Sequence, residues 1–173
     1  MDYLYGVRLL ALDPALRSSG YAILEKREQK VCSVAYGVIQ TTAAASMTQC
    51  LVEIHRQVSE LIDLHRPEAC AVESVIFVQN CKTAVTLGAA RGSALLAAAQ
   101  RGLSIYEYPP KRVKQAIVGK GGAQKGQVGF MVRVLLGLAE NPHADAADAL
   151  AIGLTHLQMQ DSPIRVSHCA RRL

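Results

Sequence analysis

The chain has 173 residues, half of them apolar and 19% charged, with 19 Lys and Arg against 14 Asp and Glu for a formal charge of +5. That length fits one domain with a sizeable core, and the low charge excludes intrinsic disorder over most of it. The charge is also uneven. Arg101 to Arg133 holds seven cations and a single anion, Glu107, so the whole basic surplus lies in one stretch. Such a stretch suits an acidic partner met at one place, nucleic acid before membrane; a solvated lysine-rich helix accounts for it equally well.

The five cysteines form no C-x-x-C pair or other zinc spacing, and small buried hydrophobes are their expected role. The first residues, MDYLYGVRLLALDP, lack a basic region followed by an apolar run and a cleavage site, so no secretory signal is expected. No window reaches the roughly 18 to 20 apolar residues of a membrane span. The expectation is a reducing cytoplasm and no membrane partner.

Along the chain, residues 8–12, 20–24 and 31–39 are β-rich, stopped by Asp13-Pro14 and then separated by the charged turn EKREQK, which predicts an antiparallel meander. Apolar residues recur at three and four over 47–65, an amphipathic helix ending before Pro67. A short buried strand over 69–72 ends at Glu73, an Ala- and Leu-rich helix spans about 83–100, and a strand covers 103–108. After Pro109-Pro110, helices are predicted over 112–118 and 127–138 around the loop GKGGAQKG. Asn141-Pro142 supplies an N-cap and first-turn proline for a last helix through HADAADALAIGLTHL. This order predicts an α/β sandwich on a mixed five-stranded sheet, with one domain over 1–158 and a flexible tail over 159–173.

Four carboxylates stand in apolar company. Asp13 ends the first strand and Glu73 a later one, and ligands bind at such strand ends in open α/β sheets. A solvated carboxylate explains either residue equally well. Asp145 and Asp148 lie on one face of a helix that is apolar nearly all round, the mark of burial, and two buried carboxylates need a cation; a solvated helix edge is the alternative. Gathered at one place, oxygen-only ligands select Mg²⁺ or Mn²⁺, and two such ions support phosphodiester hydrolysis.

Five blocks in order, LALDPALRSSGYAIL, AVESVIF followed by QN, LGAARG, YEYPPKRVKQAIVGKGGAQKGQV and NPHADAADALAIGLTH, resemble the RuvC family of bacterial Holliday junction resolvases, in the ribonuclease H-like superfamily. The resemblance covers about residues 9–157. It implies a ribonuclease H-like fold whose mixed five-stranded sheet, first three strands antiparallel, carries helices on both faces. It further implies that Asp13, Glu73, Asp145 and Asp148 are the catalytic, metal-binding carboxylates, with Asp13 touching both of two Mg²⁺ ions and Mn²⁺ able to substitute. The implied enzyme is a homodimer that nicks opposing strands of a four-way junction symmetrically, leaving ends a ligase can seal, beside a RuvA- and RuvB-type branch-migration motor.

Lys114 and Lys125 match basic family positions near the scissile backbone. With Lys111, Arg112 and Lys120 they make five cations and no acid between Lys111 and Lys125, expected to meet phosphate. Gly119, Gly121 and Gly122 allow either close approach to phosphate or simple flexibility. Two positions depart from the family pattern. Ala15 stands where Gly is usual after Asp-Pro, and Ile76, followed by Phe77, stands where an aromatic wedge is common; either could insert into the junction. His143 is a candidate site contact or a surface residue at a helix start. Competing readings are a nuclease for another substrate such as an RNA/DNA hybrid, an actin-like or sugar-kinase-like phosphotransferase, and a junction-binding module without catalysis.

Overall fold

The computed structural model describes residues 6–75, 80–122, 124–160 and 171–173, without the side chains of Lys125 and Arg171. Strands β1 (Val7–Asp13), β2 (Ser18–Arg27) and β3 (Lys30–Gln40) form the expected meander. They are followed by α1 (Met47–His65), β4 (Ala69–Glu73), α2 (Cys81–Gln100), β5 (Ser104–Tyr108), α3 (Pro110–Val118), α4 (Lys125–Leu136), α5 (Ala144–Gln160) and β6 (Arg171–Arg172). The sheet order is β3-β2-β1-β4-β5-β6, antiparallel across the first three strands and parallel from β1 through β4 to β5. The predicted five strands are present, and the two-residue β6 extends them antiparallel to β5.

Of the tail expected to be flexible from Met159, residues 159–160 continue α5 and Arg171–Arg172 pairs with β5. Residues 161–170 lie outside the described residues. The hairpin also runs further than apolar content suggests. Arg27 pairs with Lys30, and the turn is only Glu28-Gln29, with Glu28 left-handed at φ 54. Ladder hydrogen bonds sustain these charged positions once the strands have left the core.

Side-chain alternation sorts the core into two layers. Leu10, Leu12, Ile23, Cys70 and Val72 face α1 and α2. Leu9, Ala11, Ala22, Leu24, Ala71 and Tyr108 face α5, with α3 and α4 packed outside it through Val113, Ile117, Val128 and Val132. Helix α5 is buried along almost its whole length, as its all-round apolarity predicts. It lies close on the sheet because Gly153 has no side chain: a Cβ there would stand 2.6 Å from Leu24 Cδ1 and 3.1 Å from Ala11 Cβ. Helix α1 has the predicted bounds, started by a Ser46–Gln49 capping box.

The start of α5 differs from expectation. The helix begins at Ala144, so His143, not Asn141, occupies the N-cap position. Its Nδ1 accepts a weak 3.4 Å bond from the Asp145 N–H, and its carbonyl accepts from Ala147. An imidazole nitrogen here does what Asn would have done, two residues later.

Cys50 and Cys70 are buried, while Cys32 and Cys81 are more open; these four are free thiols. Burial pushes the Cys70 thiol up to about 12, so it behaves as an inert small hydrophobe. Among the described residues no helix is long and apolar enough to cross a membrane.

His156 is 2% exposed in α5, its Nδ1 2.7 Å from Tyr108 Oη and its Nε2 2.9 Å from Gln160 Nε2. Burial lowers its pKa to about 4. Above the unfolded value near 6.5 the ring is neutral in both states, so folding carries no ionisation penalty. As pH falls from about 6.5 towards 4, only the unfolded chain takes up the proton, and stability drops by up to about 3 kcal/mol. The drop is expected in wild type and not in His156→Gln, comparing urea midpoints at pH 7.5 and 4.5. Equal losses in both proteins would mean that His156 is not the group responsible.

Candidate active site

Asp13 and Glu73 are the last residues of two adjacent parallel strands. The last partnered pair is Leu12 with Val72, so the two carboxylates follow in the same register, one residue further along each strand. Neighbouring strands run about 4.8 Å apart. Asp13 shares its side of the sheet with Leu9 and Ala11, and Glu73 with Ala71, so both belong to the face covered by α5. Each is half-buried.

The first turn of α5 reaches this edge through Gly20, the β2 partner of Asp13. A Cβ on Gly20 would overlap the carbonyl oxygen of Asp145 and stand 2.5 Å from its carbonyl carbon. Helix backbone therefore lies directly on strand backbone beside Asp13, a close approach that only glycine permits. Asp145 and Asp148, both half-buried, are carried on that turn and the next. The Ser18 hydroxyl donates a short hydrogen bond to Asp145 Oδ2, and His143 Nδ1 lies 3.7 Å from the same oxygen.

The loop leaving Asp13 is tied down on several sides. The Ala15 N–H donates to Ser19 Oγ at 2.9 Å, and that hydroxyl donates back to the Ala15 carbonyl at 2.6 Å. Thr41 donates to the carbonyls of Leu16 and Arg17. Ala15 needs no left-handed backbone, so the departure from glycine costs this turn nothing.

Asp13, Glu73 and the backbone of Asp145 thus belong to one edge, brought there by two strand ends and one helix start, with Asp148 one turn further along α5. As placed here, among the described residues no group of three or more His, Cys, Asp and Glu side chains is gathered for a metal ion. One oxygen of Asp145 is taken by Ser18 instead. By donor chemistry the set fits a hard divalent cation, all its ligands being carboxylate oxygens.

The basic segment occupies the α5 side as well. Lys111 and Lys114, three apart on α3, share a helix face; Lys111 is exposed and Lys114 half-buried. Lys120 is exposed beyond the end of α3, and Lys125 opens α4. Arg112 is half-buried, its Nε without a hydrogen-bond partner among the described residues and its Nη1 3.5 Å from Gln115 Oε1. The glycines have separate duties. Gly119 ends α3 in left-handed conformation at φ 76, and Gly121 leaves room for the Lys111 stem, which a Cβ would meet at 2.7 Å. Arg101 belongs to a different surface, paired with Asp63 at 2.7 Å. Ile76 and Phe77 lie outside the described residues.

Residues 9–156 match the family described as crossover junction endodeoxyribonuclease RuvC. The chain belongs to the RuvC family. A RuvC of Akkermansia muciniphila is 47% identical over 166 residues, covering 96% of this chain and 99% of its own. The RuvC of T. thermophilus, solved in complex with Holliday junction substrate, is 34% identical with a TM-score of 0.87, over 96% of this chain and 99% of that one. The yeast mitochondrial Holliday junction resolvase Ydc2 shares the fold at 12% identity and a TM-score of 0.61, covering 89% of this chain and 80% of its own. The ribonuclease H-like architecture predicted from sequence is the one found, and a RuvC-family nuclease on it depends on a divalent metal ion.

Sequence reasoning passed over Gly20, Ser18 and the Tyr108–His156 pair. Gly20 had a signal, a glycine between β-forming residues, which marks close backbone approach. Ser18 and Tyr108 had none, because their partners are 127 and 48 residues away.

Proposed function

We propose that this chain resolves four-way DNA junctions by paired hydrolytic nicks, using Asp13, Glu73, Asp145 and Asp148 to hold two Mg²⁺ ions. The observation that carries the assignment of residues is the shared edge: Asp13 and Glu73 leave adjacent strands in register on the face where α5 begins. When bound there, such ions supply activation of the attacking water and stabilisation of the leaving oxygen.

The protein's own part is placement and charge. The bonded loop at residues 15–19 holds the chain leaving Asp13, Gly20 lets α5 come down beside it, and Ser18 orients Asp145. Lys111, Lys114, Lys120 and Lys125, with Arg112 beside them, supply phosphate contact and, at Lys114 and Lys125, charge stabilisation as negative charge builds at the scissile phosphate. Ile76 and Phe77 are the proposed wedge.

A homodimer supplies two cutting sites for a two-fold junction, a branch-migration motor is its proposed protein partner, and the bacterial relatives favour a cytoplasmic location. The reading is tested by incubating the protein with Mg²⁺ and a synthetic four-way junction, a plain duplex or an RNA/DNA hybrid. Symmetric nicks in the junction alone are expected, and equal cutting of all three would overturn it.

The two lysines carry a separate expectation. Lys114→Ala with Lys125→Ala should lower the single-turnover cleavage rate by about a hundredfold or more, with a smaller loss of junction affinity at fixed salt. If affinity falls as far as rate, the lysines bind phosphate and do nothing further.

A further inference from the structure

Beneath the candidate site, on the opposite side of the sheet, lies an ion pair that the proposed chemistry leaves without a role. Arg91, in the middle of α2, is 11% exposed and Glu107 of β5 is 15% exposed. Glu107 shares its side of the sheet with Ile105, which faces α1 and α2, so its carboxylate points away from α5 and meets the Arg91 Nη2 in a short bond. The other arm of the same guanidinium, Nη1, donates at 2.6 Å to the main-chain carbonyl of Glu73. Burying a guanidinium is costly unless its charge and its donors are matched. Here one arm is matched by a carboxylate and the other by the last carbonyl of β4. The next residue is tied as well, since the Ser74 N–H donates to the Tyr108 carbonyl at 2.8 Å.

We infer that Arg91 is a positioning residue for Glu73: from the far side of the sheet it fixes the peptide from which the Glu73 side chain projects towards the metal edge. The inference rests on the nuclease reading of that edge. A planar fork reaches two acceptors on different strands at once, which an ammonium on a flexible stem does not do with the same geometry. Glu107 has the complementary task of neutralising the fork without occupying both arms. It was the single anion in the basic window, and its charge is spent inside the protein rather than facing DNA.

Arg91→Lys keeps the charge and gives up the fork. The expected result is a melting temperature close to wild type, junction affinity in EDTA unchanged, and Mn²⁺ binding to DNA-free protein weakened about tenfold in calorimetric titration, the scale on which groups supporting a metal ligand act. The Mn²⁺ concentration for half-maximal cleavage should rise in parallel. A role confined to tying α2 to β5 would move the melting temperature and leave Mn²⁺ binding alone.

If Arg91→Lys does not fold, the Arg91→Gln, Glu107→Gln double variant removes both charges without stranding either, and the same weakening is expected. Unchanged Mn²⁺ binding in a folded variant overturns the inference, as does wild-type protein that binds no Mn²⁺. Wild type that binds Mn²⁺ but leaves the junction uncut sinks the nuclease reading instead, while the titration still decides the role of Arg91.

Discussion

Replacing Asp13 with Asn is expected to lower junction cleavage by roughly a hundred- to a thousandfold while leaving metal-free junction binding equal to wild type or tighter. The substitution keeps the shape of the side chain and removes its charge. Asp13 is the residue around which the edge is assembled: β4 lies on one side of its strand, with Glu73 in the next register position, and Gly20 on the other side, under the start of α5. An amide there is a poor ligand for a hard cation. It also relieves repulsion between the carboxylate edge and DNA phosphate when no metal is present, which sets the sign expected for binding. Cleavage is read on denaturing gels with Mg²⁺ and binding by mobility shift in EDTA. Undiminished cleavage by Asp13→Asn, or binding lost in step with cleavage, would overturn the assignment.

Gly20→Ala tests the assembly itself and changes no proposed ligand side chain. The added methyl would overlap the Asp145 carbonyl, and its other near neighbours are the Asp145 carbonyl carbon at 2.5 Å and the Ala146 nitrogen at 3.2 Å. All are backbone atoms, so no side chain can swing aside, and α5 has to retreat from the sheet. Overpacking of this kind costs about 1–3 kcal/mol, seen as a lower urea midpoint. The larger effect is on function, because the retreat carries Asp145 and Asp148 away from Asp13. A displacement of about 1 Å among reacting groups can cost about a hundredfold in rate, and cleavage per folded molecule should fall on that scale. A destabilised variant with wild-type cleavage would show that the position of α5 over Gly20 does not govern the reaction.

Elements with strong local signals were legible in the chain alone. The apolar period of α1, with Pro67 just beyond it, brought both its ends out correctly, and strand endings at Asp13 and Glu73 were visible because a run of buried apolar residues stops at a carboxylate in each. The last helix was recognisable as buried, but its start was misplaced by two residues. Asn and His can both cap, and which one does so depends on where the sheet stops the helix.

The basic window was correct in sum and mixed in meaning. Arg101 is paired with Asp63, and Glu107 turns to Arg91, so the cations proposed to meet DNA begin at Lys111.

Residue types, their order and the five family blocks were enough to determine the fold class, the family and which four carboxylates to propose as the site. Local chemistry and short-range periodicity are written in neighbouring residues. The tertiary structure alone decided that Asp13 and Glu73 share the α5 face, that Ser18 takes an oxygen of Asp145, and that Arg91 reaches the Glu73 carbonyl through the sheet edge from the other side. Strand alternation says that two faces exist but not which helix covers each. That choice is made by packing, through glycines that admit a helix at one place and hydrogen bonds that join residues 18 and 127 positions apart.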